Sequence, residues 1–234
     1  MKTKDPVNQY IVEQYRELGL EQLGIMNSSV WREDPKRLIF TLARYKFVAK
    51  MLEGVGSVAE IGCGDGFGSR IVRQSVDSLT ITDYDPVFVE GFLETNRHGP
   101  DIEARVHDIL QGPLEGKFDA IYSLDVLEHI APGLEKQFLT NMCASLSSDG
   151  TVIIGIPSLE SQLYASRESR EGHVNCKSGG QLKTVLKNYF RFVFVFSMND
   201  EVVHTGYYPM AHYLLALCCG RLQNSDRASR SKNI

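Results

Sequence analysis

The spacing of apolar residues along the chain changes near residue 57. Before that point, from Asn8 to Leu20 and from Pro35 to Leu52, apolar residues recur at helical spacing. Asp34 followed by Pro35 offers the second segment an N-cap and a first-turn proline. Beyond Ser57, short apolar runs alternate with longer stretches that are compatible with helices. These runs are Val58–Ile61, Leu79–Thr82, Ile102–Val106, Phe118–Leu124 and Thr151–Ile156.

This alternation predicts a doubly wound α/β fold. Several runs are apolar almost throughout, as expected of strands that helices cover on both faces. After a polar stretch, a helix is expected over Gln181–Tyr189 and strands over Phe192–Ser197 and Ala211–Cys219. We predict a helical N-terminal extension or lid over residues 1–54 and one α/β domain over residues 55–220. Residues 221–234, rich in Ser, Arg and Asn, are predicted to be a disordered tail.

Composition narrows the possible partners. The chain has 234 residues and a net charge of −4, so it lacks the overall basic surface that would neutralise phosphates, which argues against a nucleic-acid partner. No stretch of about twenty apolar residues and no signal-peptide core is present, which predicts a cytoplasmic protein without membrane insertion. A monomer or homodimer is expected. The five cysteines form no Cys-x-x-Cys pair or zinc-ligand set, and no metal site is predicted.

A glycine-rich loop follows the first predicted strand and opens a helix. Its glycines would let the backbone turn tightly and approach a ligand closely. A dinucleotide fingerprint that starts at Gly62 would need a third glycine where the chain has Phe67. Asp65 inside the loop would also repel a pyrophosphate. The loop therefore disfavours a nicotinamide-dependent oxidoreductase and favours a cationic ligand without phosphate, such as S-adenosylmethionine.

Aspartates stand where the next two strands are expected to end. Asp83 ends the second apolar run, where a carboxylate can accept hydrogen bonds from ribose hydroxyls. Asp85, directly before Pro86, is predicted to cap the following helix. Asp108 follows the third run, where a carboxylate could accept a hydrogen bond from an adenine amino group.

Four motifs in this order resemble class I S-adenosylmethionine-dependent methyltransferases, and most closely the ubiquinone-biosynthesis-type branch. They are Glu60-Ile61-Gly62-Cys63-Gly64-Asp65-Gly66, Asp83, Asp108 and the segment from Phe118 to Ile130. The resemblance implies a Rossmann-like seven-stranded sheet whose last strand is antiparallel, with S-adenosylmethionine as cofactor and S-adenosylhomocysteine as product. It assigns the methionine part to Gly62, Cys63 and Gly64, the ribose to Asp83 and the adenine to Asp108. Further expected cofactor contacts are Arg44, Glu60, Tyr84, Ile109 and Leu124.

The predicted reaction is methyl transfer to an oxygen or nitrogen of a small molecule, such as a cofactor, secondary-metabolite or surface-polysaccharide intermediate. A non-catalytic S-adenosylmethionine-binding regulatory or scaffold protein remains the alternative. His129, His173 and His204 are candidate general bases, because histidine titrates near neutral pH. For each of them a purely structural role is the competing interpretation. Glu128, next to His129, is expected to cap a helix or pair with a cation.

Overall fold

The computed structural model describes residues 1–223 of the chain. Within that range the α-helices are α1 (Gln9–Leu18), α2 (Ile25–Glu33), α3 (Pro35–Met51), α4 (Ser69–Arg73), α5 (Pro86–Thr95), α6 (Glu135–Ala144), α7 (Arg167–Gly172) and α8 (Gly179–Leu186). The strands are β1 (Ser57–Ile61), β2 (Ser78–Asp83), β3 (Glu103–Val106), β4 (Phe118–Leu124), β5 (Leu146–Pro157), β6 (Phe190–Asn199), β7 (Val202–His204) and β8 (Tyr213–Arg221). Of the tail predicted to be disordered, Arg221 ends β8, and residues 224–234 lie outside the described residues.

The strands form one sheet in the order β3-β2-β1-β4-β5-β8-β6-β7. Strands β1 to β5 are parallel to one another, and β8 runs antiparallel to both β5 and β6. The predicted α/β class with an antiparallel last strand is confirmed. The sheet has eight strands in the described part of the chain and not seven, because Val202–His204 pairs with β6 and extends the edge.

Helices cover both faces of the sheet, as the doubly wound prediction requires. On one face Phe138 of α6 and Leu182 of α8 are fully buried against the central strands. On the other face Val48 of α3, Val72 of α4 and Phe92 of α5 are buried to the same degree. Each such side chain contributes about 1.5–3 kcal/mol to folding by leaving water. The two apolar layers hold the strand ends, and hence the loops that follow them, in fixed positions.

The N-terminal helices differ in how they are held. Helix α3 buries five residues in the core, whereas neither α1 nor α2 has a buried residue. Pro35 occupies the first turn of α3 as predicted, but the Asp34 side chain makes no capping hydrogen bond. The predicted cap at Asp85 is confirmed, since its carboxylate accepts from the Val87 amide at 3.0 Å. Among residues 1–223, no helix combines the length and the apolar character that crossing a bilayer requires.

Candidate functional site

A cavity of about 560 Å³ opens at the carboxyl ends of β1, β4 and β5. The strand order reverses between β1 and β4, and open α/β sheets bind their ligands at such a switch point. The walls of the cavity are the glycine loop after β1, the turn after β4, helices α2 and α3, and the segment that follows β5. The sequence places most of its candidate site residues on these same elements.

The glycine loop brings bare backbone to the cavity wall. Gly62, Cys63 and Gly64 all line the cavity, and the two glycines have φ angles of 76° and 53°. A Cβ atom on Gly62 would lie 2.2 Å from Cγ2 of Val126, and one on Gly64 would lie 2.7 Å from Sδ of Met26. Both positions therefore require glycine, for conformation and for space. Cys63 is buried, and burial raises the pKa of its thiol, so it is not set up as a nucleophile.

Asp83 ties the end of β2 to the glycine loop. Its carboxylate is largely buried, with Oδ2 accepting from the Gly64 amide at 2.9 Å and Oδ1 accepting from the Asp85 amide at 3.0 Å. A carboxylate has about four acceptor sites, so two stay available to hydroxyl donors. The side chain is thus fixed beside the loop before any ligand arrives.

The predicted adenine and ribose neighbours lie outside the 560 Å³ cavity. Tyr84 is 73% exposed next to Asp83. Asp108 accepts from the Leu110 amide at 2.9 Å and so shapes the turn after β3, while Ile109 is buried in the core. Leu124, at the end of β4, does line the cavity. These residues follow neighbouring strands along one edge of the sheet, in the order that the sequence predicts.

Glu60 has a different place from the one expected. It does not line the cavity and is fully buried, where its carboxylate accepts hydrogen bonds from three hydroxyls: Tyr45 at 2.8 Å, Ser69 at 2.5 Å and Tyr122 at 2.6 Å. Burial raises its pKa to about 7, although the three hydroxyl donors oppose the rise. Because it lies inside strand β1 and points into the core, Glu60 joins α3, α4 and β4 beneath the glycine loop and is not a direct ligand contact.

Arg44 reaches from α3 to the turn after β4. Its Nη1 lies 2.6 Å from Oδ2 of Asp125, and its guanidinium carbon lies 3.9 Å from the centre of the Tyr213 ring. Its Nε is buried without a hydrogen-bond partner among the described residues. Asp125 has a φ angle of 57°, which is uncommon outside glycine. The arrangement leaves one edge of the guanidinium available at the cavity wall.

Asp65 fastens α2 over the glycine loop. Its buried carboxylate accepts from the backbone amide of Asn27 at 2.8 Å and from the Asn27 side-chain amide at 2.6 Å. Met26, Asn27 and Val30 of α2 all line the cavity. Since α2 buries none of its own side chains, this pair of bonds is a main attachment of the helix to the α/β domain.

Two of the three candidate histidines meet at the cavity. The rings of His129 and His173 lie 5.0 Å apart at an angle of 72°. His129 Nδ1 lies 3.0 Å from the Gly172 carbonyl oxygen, and His173 Nδ1 lies 2.9 Å from Oε1 of Gln162. Burial, followed by the nearby His129, lowers the pKa of His173. Both histidines line the cavity and could exchange protons with a bound molecule.

His204 does not join them. It lies on β7 and is not among the cavity-lining residues. Its Nε2 lies 2.9 Å from Oδ1 of Asn199, and its Nδ1 accepts from the Gly206 amide at 2.9 Å. These contacts close the turn of the β6–β7 hairpin, a structural role. The expectation that its loop would rim the pocket fails because the short strand β7 draws the loop into the sheet edge.

Glu128 is the most unusual group in the cavity wall. It is fully buried, and neither carboxylate oxygen has a hydrogen-bond partner among the described residues. The expected capping hydrogen bond is therefore absent, whereas the expected cation is Arg44, whose charge opposes the rise in the pKa of Glu128. Burial, and after it the negative charge of Asp125, raises the pKa of Glu128 well above its usual range. Burial without a hydrogen-bond donor disfavours the charged form of a carboxyl, which is the physical cause of the raised pKa.

Residues 58–150 match a family model described as a methyltransferase domain. This part of the chain is a methyltransferase domain. The match includes the glycine loop, Asp83, Asp108 and His129, the residues on which the resemblance to class I methyltransferases depends. None of the curated protein sequences matches the chain significantly.

Solved structures of methyltransferases share the fold over most of the chain. The N-methyltransferase NodS from Bradyrhizobium japonicum WM9, in complex with S-adenosylhomocysteine, matches with a TM-score of 0.61 and 20% identity over 88% of this chain and 98% of NodS. The DhpI complex with S-adenosylhomocysteine matches with a TM-score of 0.59 and 18% identity, over 82% of this chain and 89% of DhpI. Magnesium protoporphyrin IX methyltransferase from Synechocystis PCC 6803, also with S-adenosylhomocysteine bound, matches with a TM-score of 0.54 and 15% identity. The match covers 90% of this chain and 95% of that enzyme.

Several site residues were not predicted from the sequence. Inside the methyltransferase domain these are Asp125, which pairs with Arg44, and the unpartnered Glu128. Outside it they are Asn27 and Gln162. For Asp125 a signal existed, because it directly follows a buried strand at the edge where ligands bind. Asn27 and Gln162 carry no comparable signal, since only the packing of distant segments gives them their partners.

Proposed function

We propose that this protein is a methyltransferase that moves a methyl group from S-adenosylmethionine to an oxygen or nitrogen of a small molecule. The observation that carries the proposal is the glycine loop, whose bare backbone at Gly62 and Gly64 borders a cavity at the switch point of a methyltransferase domain. The S-adenosylhomocysteine bound by NodS and DhpI in their structures supports the same cofactor here.

The residues of the cavity fit the charges of this cofactor. S-adenosylmethionine has a sulfonium, an ammonium and a carboxylate but no phosphate. The cavity wall contains the acidic side chains of Asp65 and Asp125, which would attract the two cations and repel a pyrophosphate. Arg44 has a free Nε at the same wall for the single carboxylate.

Each part of the cofactor then has a proposed partner. The backbone of Gly62 to Gly64 would hold the methionine part, and Arg44 its carboxylate. Asp83, fixed by the Gly64 amide, would accept from the ribose hydroxyls with its remaining lone pairs. Asp108, with Ile109 beside it, would border the adenine, and Tyr84 is exposed at the position where it could cover the ribose.

The acceptor would occupy the part of the cavity between α3 and the segment after β5. When bound, the cofactor supplies a methyl group that its positive sulfur has already activated. The chain therefore has to align the acceptor in line with that methyl group and exclude water. His129 and His173 are the proposed groups for handling an acceptor proton, since both line this part of the cavity. A cavity of about 560 Å³ is in the range of small-molecule sites, which supports a small acceptor.

Calorimetric titration with S-adenosylhomocysteine tests the cofactor assignment, with NAD as the control ligand. We expect binding of the sulfur ligand alone. Asp83→Ala should weaken it by about 1–3 kcal/mol, because a charged hydrogen-bond acceptor is lost. Asp85→Ala is the matched control, since it removes the cap of α5 and leaves Asp83 in place. Equal affinities of the wild type and Asp83→Ala would contradict the ribose assignment, and no binding by the wild type would contradict the proposed function.

Transfer of a labelled methyl group separates an enzyme from a non-catalytic binding protein. The wild type, loaded with methyl-labelled S-adenosylmethionine, is mixed with fractionated small-molecule extracts under single-turnover conditions. Label is expected to appear in one or a few fractions below the size of a protein. Tight cofactor binding without transfer to any fraction would favour the regulatory or scaffold alternative.

A further inference from the structure

The start of β8 lies beneath the guanidinium of Arg44. Tyr213 is the first residue of β8 and pairs with Pro157, the last residue of β5. Its side chain is buried, and the centre of its ring lies 3.9 Å from the guanidinium carbon of Arg44. The backbone amide of Asp125, just after β4, donates to the Gly155 carbonyl at 3.0 Å. The ends of β4 and β5 and the start of β8 therefore meet around one arginine.

These contacts occupy one face and one end of the guanidinium. The Tyr213 ring covers the face, and Oδ2 of Asp125 lies 2.6 Å from Nη1. Nε is buried and has no hydrogen-bond acceptor among the described residues. The N–H groups of Nε and Nη2 point the same way along the edge that Asp125 does not occupy. Two parallel donors of this kind bind a carboxylate with two hydrogen bonds.

Strand β5 leaves the space that the tyrosine ring fills. A Cβ atom on Gly155 would lie 2.6 Å from Oη and 2.9 Å from Cε1 of Tyr213, so only glycine fits there beside the ring. Leu215, which pairs with Gly155 two residues further along β8, is fully buried. The position of the ring is thus fixed by the packing of the sheet before any ligand arrives.

The ring is a firmer support for Arg44 than the ion pair is. The side chain of Asp125 is 37% exposed, and ion pairs in contact with water hold their partners weakly. The buried ring instead fixes the plane of the guanidinium, because a cation stacks over the face of an aromatic ring. An arginine without such a support would have to lose the freedom of its long side chain when a ligand binds, which reduces affinity.

We infer that Tyr213 is a positioning residue, whose ring holds the Arg44 guanidinium with its Nε edge towards the carboxylate of the cofactor. This inference rests on the proposed function, from which it takes the cofactor. Tyr213 does not itself line the cavity and acts through Arg44, which does. Selection of ligands that carry the methionine part therefore depends on a strand outside residues 58–150, the segment that matches the family model.

Two ligands isolate this role in calorimetric titrations of the full-length chain. S-adenosylhomocysteine carries the carboxylate, whereas 5′-methylthioadenosine keeps the adenosine and the sulfur but lacks the whole amino-acid part. Tyr213→Leu should weaken binding of S-adenosylhomocysteine about 3–30-fold, the range of a cation–ring contact, and leave the affinity for 5′-methylthioadenosine unchanged. Tyr213→Phe keeps the ring and should bind both ligands like the wild type. Leu215→Ala is the matched control, because it opens the core on the same strand and should keep the wild-type ratio of the two affinities.

A double-mutant cycle tests whether Tyr213 acts through Arg44. Arg44→Met keeps most of the side-chain volume, removes the donors and should weaken binding of S-adenosylhomocysteine about 10–100-fold. Adding Tyr213→Leu to this variant should cause no further loss, because the ring then has no guanidinium to hold. Should Tyr213→Leu unfold in circular dichroism, Tyr213→Met replaces it, since it fills more of the space that the ring leaves.

The outcomes separate this inference from the proposed function. No binding of S-adenosylhomocysteine by the wild type would contradict the proposed function and remove the basis of the inference. When the wild type binds, three results would each overturn the positioning role alone. They are an unchanged ratio of the two affinities in Tyr213→Leu, an equal loss in Tyr213→Phe, and full additivity of Tyr213→Leu with Arg44→Met.

Discussion

Glu60 gives the folding stability of this protein a specific dependence on pH. The side chain is fully buried, and its pKa rises from the ordinary value of 4.5 to about 7 because burial penalises the charged form. A carboxyl whose pKa is raised in the folded state binds its proton more tightly there than in the unfolded chain. Its contribution to stability is therefore complete below about pH 4.5 and is lost as the pH rises to about 7.

The size of the effect follows from the two pKa values. One pKa unit corresponds to about 1.4 kcal/mol, so the change from 4.5 to about 7 amounts to about 3 kcal/mol in the free energy of unfolding. Glu60→Gln keeps the shape of the side chain and cannot ionise. The difference in stability between the wild type and this variant should therefore decrease by about 3 kcal/mol between pH 4.5 and 7, and then stay constant at higher pH.

Urea unfolding followed by circular dichroism, at half-unit steps from pH 4.5 to 9, measures this difference. Subtracting the free energy of unfolding of the variant from that of the wild type at each pH removes the contributions of all other titrating groups, including Glu128. Glu94→Gln, at an exposed position of α5, controls for the loss of a surface charge. A difference that does not change with pH would refute the reasoning. A difference that grows with pH would mean that the hydroxyls of Tyr45, Ser69 and Tyr122 outweigh burial.

Two further predictions concern the glycine loop and the helix above it. Gly62→Ala should lower the free energy of unfolding by at least about 2 kcal/mol and abolish S-adenosylhomocysteine binding, because the residue has φ 76° and its Cβ would lie 2.2 Å from Val126. Urea unfolding and calorimetry measure both effects, and wild-type values in Gly62→Ala would contradict them. Asn27→Ala should lower the free energy of unfolding by about 1–3 kcal/mol, because it leaves one oxygen of the buried Asp65 carboxylate without its hydrogen-bond donor. Asn27→Asp should lower the free energy of unfolding further at neutral pH, because it places a second carboxylate beside Asp65, and the loss should diminish on acidification. Equal losses of stability in the two variants, measured by urea unfolding, would argue against this contact.

Each of the seven predicted apolar runs overlaps a strand of the structure. The central strands β1, β2 and β4 are covered on both faces, and such burial leaves a continuous hydrophobic signal. Strand β3 has no buried residue and β6 alternates, so their runs are weaker signals. Two parts of the sheet give no such signal. The strand Val202–His204 lies at the edge, where one row of backbone partners is enough, and the start of β5 passes through polar residues 147–149. Short edge segments are determined by their neighbours more than by their own composition.

The candidate site was most predictable where it follows the ends of strands. Gly62, Asp83 and Leu124 lie at the cavity or the glycine loop because each ends or follows a parallel strand. The pairs Asn27–Asp65 and Arg44–Asp125 join residues 38 and 81 positions apart, and no periodicity relates them. Glu60 illustrates the limit of sequence-based prediction. Its position in strand β1 could be predicted, but the three hydroxyls that donate to its carboxylate could not. Tertiary packing, which the local pattern does not encode, determines such partners.

The cavity is formed partly by the segment that matches the family model and partly by segments before and after it. Residues 58–150 supply the glycine loop and Asp83, the proposed contacts of the methionine part and the ribose of the cofactor, together with the Glu128–His129 turn. The remaining wall comes from α2 and α3 before this segment and from residues 157–173 after it. Because α2 buries no side chain, this helix can vary without disturbing the core, whereas α3 buries five residues and cannot. We therefore expect that exchanging residues 157–173 between relatives changes the acceptor and leaves cofactor affinity intact, whereas exchanging α3 would also remove Arg44, the proposed partner of the cofactor carboxylate.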